Sequence, residues 1–177
     1  MKKFFKQKRG GFTLVETLVA ISIFTVSILG LLAVLSQGVS DIGYAKKKII
    51  AEYLAQEGIE YIRNMRDTNV LYTIPGGWNN FKSKISPCVS TGKCGFDNTL
   101  FSPDVFVCAT HGEQCKLYED NGNYNTNLLG ADSGFVRTVY IDTISQDEMK
   151  IFSTVSWTQG SGERSITFSE NLFNWAE

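Results

Sequence analysis

The sequence predicts an α+β protein. A long N-terminal helix, membrane-spanning over its first half, packs on a small antiparallel sheet with a loop-rich, disulfide-bearing insertion. Three observations predict it. Residues 12–35 are almost entirely apolar, with one carboxylate, Glu16, near the start. From there to about residue 66, apolar residues recur at three- and four-residue spacing. Beyond residue 135, alternating and β-branched stretches are separated by turn material.

Residues 1–11 form a basic leader with Lys2, Lys3, Lys6, Lys8 and Arg9 and no acid, ending in Gly10-Gly11. As a helix, the apolar run that follows reaches about 36 Å, enough for a hydrocarbon layer of about 30 Å. Lysine and arginine stay on the cytoplasmic side, which places residues 36–177 outside. A secretory signal peptide is the alternative, and an uncleaved anchor is another. Against the signal peptide, the apolar run is too long, it contains Glu16, and no small-x-small site precedes Gln37. Glu16 is also hard to reconcile with a plain anchor. An ionised carboxylate at mid-helix costs about 2.5–3.5 kcal/mol on insertion scales, and an anchor gains nothing from it.

Residues 36–67 read as an amphipathic continuation of the helix. Ile50, Tyr53, Leu54, Gly58, Tyr61, Ile62 and Met65 fall on one face, while Lys46, Lys47, Glu52, Gln56, Glu60 and Arg63 populate the rest. Such a stripe needs a covering layer, and the remainder of the chain must supply it. Gly30, Gly38 and Gly43 each cost about 1 kcal/mol against alanine. They fit either close helix packing or a segment that yields when subunits shift.

Residues 68–177 form the expected globular head. Pro75-Gly76-Gly77, Pro87, Thr91-Gly92 and Pro103 punctuate a loop-rich region, and Asp120–Asn127 reads as another polar loop. Strands are expected at 135–144, 150–158 and 164–168. They carry alternating or β-branched residues: Val136, Thr138, Tyr140 and Ile144, then Ile151, Ser153, Val155 and Trp157. Gln146-Asp147 and Gln159–Gly162 supply the turns of this three-stranded meander.

Four cysteines, Cys88, Cys94, Cys108 and Cys115, lie on the exported side, where disulfides persist. Three connectivities are open. The local pairs, Cys88–Cys94 and Cys108–Cys115, are the first choice because each closes a small glycine-containing loop. The alternative is zinc held by Cys108, His111, Cys115 and an earlier cysteine, although the spacing matches no known finger. His111, the one histidine, otherwise reads as an exposed loop residue. The oxygen-rich Asp120–Asn127 could be weighed for calcium, but its charge is low and a turn fits better. Trp157, Phe168, Phe173 and Trp175 read as core, with a binding surface as the alternative. No Ser-His-Asp set, phosphate loop or nucleotide fingerprint occurs, so neither catalysis nor a cofactor is expected. Removing the leader's charges leaves 12 basic and 18 acidic side chains, a net of −6. Nucleic acid is therefore not an expected partner of the whole chain, although Lys46-Lys47-Lys48 is a local basic patch.

Gly11, Phe12, Thr13, Leu14 and Glu16, under a basic leader and ahead of an apolar helix, resemble the N-terminus of type IV pilins and pseudopilins. The stretch Leu54–Arg63 is similar to the usual continuation of the pilin helix, and Val155–Trp175 looks like the last strands of minor-pilin heads. Residues between about 70 and 130 resemble nothing known to us. The resemblance implies cleavage between Gly11 and Phe12 by a prepilin peptidase and N-methylation of Phe12. Two adjacent glycines weaken the helix edge and give an enzyme access to the backbone. The resemblance further implies assembly with other pilin-like subunits through the N-terminal helix, driven by a platform protein and an ATPase from a store in the membrane lipid. Glu16 would meet the new amine of a neighbour's Phe12, since pairing offsets the desolvation of both charges. Reaching headgroup water is its alternative role. The expected function is a structural subunit of a type IV pilus or a type II secretion-like pseudopilus, held in the cytoplasmic membrane by one pass with its head outside. A membrane-anchored binding module, an adhesin or DNA-capture head outside any filament, is the competing expectation.

Overall fold

The computed structural model describes residues 10–72, 76–89, 92–97, 104–108 and 114–175. Most of the basic leader, together with Pro75, Pro103 and His111, lies outside the described residues. The chain divides into two compact units, one up to Tyr44 and one from Ala45 onward.

Helix α1 spans Leu14–Tyr72. It starts two residues later than the sequence suggests and runs about six residues further. In the first unit its residues are exposed, apart from a half-buried Gly43. From Ala51 onward it buries a stripe of Ala51, Leu54, Ala55, Gly58, Ile59, Ile62 and Met65, then Asn69 and Val70. Tyr53, expected in the stripe, is 70% exposed. The smaller Ala51 and Ala55 face the sheet in its place, because a tyrosine there would hold the helix off the strands.

A short helix, α2 (Gly77–Ile85), follows, then a single 3₁₀ turn at Ser86–Cys88. Local sequence signals for α2 are weak, since it lies between glycine and proline in a polar-looking stretch. Its Trp78, Phe81 and Ile85 are spaced by three and four and are all buried.

Among the described residues, seven strands make one sheet: β1 (Cys94–Phe96), β2 (Val105–Val107), β3 (Lys116–Asp120), β4 (Asn123–Asn125), β5 (Ala131–Thr143), β6 (Glu148–Gln159) and β7 (Gly162–Phe173). The expected meander is β5–β6–β7, with longer strands than the alternation suggested. β6 pairs with β7 from Glu148↔Phe173 to Gln159↔Gly162. On its other side β5 meets β3 near its start and β1 at Val139, and β2 and β4 extend these in turn. The Asp120–Asn127 stretch is a hairpin, not a loop. Asn121 and Gly122 both take positive φ, 51° and 82°, as a two-residue type I′ turn requires.

The inward face of β5 is its odd-numbered row. Phe135, Arg137, Val139 and Ile141 point to α1, whereas Val136, Thr138 and Tyr140 are only half-buried on the other side. An arginine at the centre of the inward row disguised the pattern. On β6 the inward row is Met149, Ile151, Ser153, Val155 and Trp157, as read. Phe168 is half-buried against the core, while Phe173 and Trp175 are more than half exposed.

Two apolar clusters result. Ala51, Leu54 and Ala55 meet Leu117, Phe135, Val155 and Trp157. Ile62, Met65 and Val70 meet α2, Phe96, Ile141, Ile151 and Leu172. Each fully buried large aliphatic or aromatic side chain is worth about 1.5–3 kcal/mol. Cys88 is bonded to Cys94 and Cys108 to Cys115, with Cα–Cα distances of 5.2 and 5.5 Å. The bridges tie β1 to the turn before it and the end of β2 to the start of β3. With all four sulfurs so engaged, the zinc alternative has no thiolate ligands.

Arg137 is 2% exposed. Its Nη1 donates to Glu57 Oε2 on α1 at 2.5 Å, and its guanidinium lies 3.8 Å from the centre of the Phe96 ring. Phe96 stacks in turn on Tyr61, with ring centres 4.0 Å apart. The Tyr61 hydroxyl donates to the Asp104 carbonyl and accepts from the Asp104 amide. Burial pulls the Arg137 pKa below its usual value, and Glu57 opposes that shift.

Two expectations follow. A Cβ built on Gly58 would lie 2.2 Å from Ser153 Oγ and 3.0 Å from Ser153 Cβ. Gly58→Ala therefore lowers head stability by about 1–3 kcal/mol, and Ser153→Ala in the same chain recovers part of the loss in denaturant unfolding. Removing one partner of a buried ion pair typically costs about 3–5 kcal/mol, while an apolar replacement of the buried ion is often tolerated. Glu57 is partly exposed and can hydrate alone, whereas Arg137 cannot. Glu57→Ala is thus expected to lower the unfolding midpoint more than Arg137→Met, measured on the full chain in detergent.

Candidate processing and assembly segment

Gly10, Gly11, Phe12 and Thr13 precede α1 without regular structure, and all four are exposed. A Cβ built on either glycine meets nothing within 4 Å. The Gly11–Phe12 peptide bond therefore lies outside the helical hydrogen-bond ladder, and its glycine side is unshielded. Phe12 itself is 76% exposed.

Thr13 fixes where the helix begins. Its Oγ1 accepts from the Glu16 backbone N–H at 3.3 Å, and its carbonyl accepts from the Thr17 N–H at 3.2 Å. Threonine at the cap with glutamate three residues on is the capping-box pattern, and an acid in the first turn also complements the helix dipole. Thr13-x-x-Glu16 is readable from sequence, and the threonine half of the pattern forms here. The cap leaves Phe12 outside the helix, so the rise of 1.5 Å per residue does not measure its distance from Glu16.

Downstream, the hydroxyls of the apolar run satisfy themselves. Thr17 donates to the Leu14 carbonyl, Ser22 to Val19, Thr25 to Ser22 and Ser27 to Ile23, at 2.8–2.9 Å. Such back-bonding leaves no donor to solvate in an apolar medium. The Glu16 carboxylate differs, because it makes no hydrogen bond or ion pair among the described residues. It is an exposed acid on a helix otherwise dressed for hydrocarbon, with Leu18, Ile21, Phe24, Leu29 and Leu32 all open around it. α1 is long and apolar enough in this part to cross a membrane, and with the adjoining segment it suggests a membrane-anchored protein.

The segment brings Gly11, Phe12 and Glu16 together within one exposed stretch of chain, with Thr13 between them. The four cysteines lie elsewhere, in the second unit, where their bridges brace the sheet. Among the described residues, no group of three or more His, Cys, Asp and Glu side chains is placed to hold a metal ion.

No curated protein and no solved structure matches the chain. One family model does, that of the prokaryotic N-terminal methylation motif, at residues 6–32. The match covers the end of the leader, the Gly11–Phe12 junction, Thr13, Glu16 and the apolar helix to Leu32, and it leaves the head unassigned. The chain thus carries, at its N-terminus, the signature of type IV pilins and pseudopilins.

Proposed function

We propose that this chain is a structural subunit of a type IV pilus or of a type II secretion-like pseudopilus. It is a prepilin-peptidase substrate, cut between Gly11 and Phe12 and methylated on the new amine of Phe12. The methylation-motif match carries the reading, and the exposed, non-helical Gly11–Phe12 junction supports it. Before assembly the apolar part of α1 resides in the cytoplasmic membrane with the head outside. A platform protein and an assembly ATPase then draw the subunit into a filament of pilin-like chains. The chemistry belongs to these partners, and the family is a structural one.

Glu16 is the residue that turns an anchor into an assembly element. Its carboxylate has no partner within its own chain among the described residues, although neighbouring hydroxyls do. Cleavage creates a cationic amine on Phe12. In a bundle of parallel helices at staggered heights, the amine of one subunit meets Glu16 of the next. Neither charge is then left alone in an apolar medium.

Glu16→Gln is accordingly expected to leave membrane insertion and leader cleavage unchanged, because the cut lies five residues before it and glutamine makes the helix no more polar. Incorporation into filaments falls. Breaking a buried pair costs about 3–5 kcal/mol, and even a third of that is about a tenfold loss in an equilibrium. The measurement is the fraction of processed protein in sheared filaments at equal membrane abundance. Equal incorporation of wild type and variant contradicts the role of Glu16 and favours an anchored binding module.

A further inference from the structure

Strand β7 is the last strand of the sheet, and among the described residues it pairs with β6 alone. The pairing runs through all twelve of its residues without a shift in register. The other two terminal strands, β2 and β4, are three residues each. Natural proteins protect an open edge by keeping it short, breaking it with proline or a bulge, or charging it. β7 is long, has no proline and has no bulge, and its central run Ser165–Ser169 carries no charge.

A groove runs between this strand and α1. Ile59 and Phe168 form its floor, Gln56 and Glu60 stand on the helix side, and Thr167 and Ser169 on the strand side. Arg63 closes one end. It is shared by two carboxylates, Glu60 and Glu170, so negative charge is in surplus beside it. Farther along α1, Asp67 is paired with Arg66, so the surplus beside the groove is that of Glu60 and Glu170 over Arg63.

An open strand edge beside a helix is the geometry in which an extended peptide joins a sheet. Main-chain hydrogen bonds supply affinity and side-chain pockets supply choice. We propose that the outer edge of β7 takes up an extended segment of a partner protein. That segment lays one apolar side chain into the groove over Ile59 and Phe168 and sets Lys or Arg against Glu60 and Glu170. The inference stands on the head alone and does not depend on the filament reading.

The test uses the full chain in detergent micelles and a peptide of about ten residues, alternating Val and Thr around a central Leu, with two lysines at each end. Two controls replace the lysines by glutamates or the central Leu by Pro. The lysine-flanked peptide is expected to bind by calorimetry and to slow backbone amide exchange along β7. The glutamate-flanked peptide is expected to bind at least about threefold more weakly, in keeping with partly exposed ion pairs. Thr167→Pro in the chain is expected to weaken binding about tenfold by removing edge pairing. Should that variant not fold, Glu60→Lys serves instead, weakening the lysine-flanked peptide and strengthening the glutamate-flanked one. Absence of binding at about 1 mM, protection at strands other than β7, or affinity indifferent to both the flanking charge and the Glu60 or Thr167 substitution overturns the proposal.

Discussion

The head can form only if α1 comes close enough to the sheet for short side chains to touch it. Gly58 lies against Ser153 with no room for a methyl group, and Ala51 and Ala55 are fully buried about two turns and one turn earlier. That approach lets a single helix stripe reach β3, β5 and β6 together. It also brings Glu57, next to Gly58, within hydrogen-bonding reach of Arg137 on the middle strand. A larger residue at position 58 would lift the helix and at the same time loosen the ion pair. Around that pair, Phe96 and Tyr61 exclude water on one side, and the Cys88–Cys94 bridge keeps β1, which carries Phe96, in place. A buried arginine contributes little net stability by itself. Its consequence is that helix, β1 and β5 must be assembled in one arrangement, since any other leaves a guanidinium without its partner.

The same helix meets opposite demands in its two units. Beyond Ala45 it alternates apolar and charged faces, as a helix lying on a sheet does. Up to Leu35 it is apolar nearly all round, and its hydroxyls bond back to their own helix. A segment that resolves its polar groups internally and then keeps one free carboxylate is not optimised for anchoring alone. The methylation motif gives that carboxylate a context, because the proposed cleavage would place a new cation four residues away.

The sequence was most informative at its two ends. The apolar run, the basic leader and the glycine–phenylalanine junction are one-dimensional signals, and the methylation-motif match lies on them. The β5–β7 meander was also legible, because long strands with turn residues between them keep their period. The inward face of β5 is hard to read in one dimension, because Arg137, a buried ion, occupies an inward position that period counting assigns to solvent. The Asn121-Gly122 hairpin was legible in principle, since that dipeptide suits a type I′ turn, but the oxygen-rich surroundings favoured a loop reading. Helix α2 and strands β1 and β2 were not legible. They are three to nine residues long, and bridges and burial hold them where local preference alone would not. At the N-terminus the Thr13-x-x-Glu16 spacing is legible, but only its threonine half forms: Thr13 caps the Glu16 N–H, and the Glu16 carboxylate stays unpaired among the described residues.

The account rests on the Gly11–Phe12 bond being the one that is cut. Intact-mass and N-terminal peptide analysis of the chain extracted from membranes, with and without an active prepilin peptidase, measures this directly. The expected result is a chain beginning at Phe12 with one added methyl group when the peptidase is active, and a chain retaining residues 1–11 when it is not. A chain beginning at Met1 in both strains, or one beginning beyond Leu35, contradicts the account.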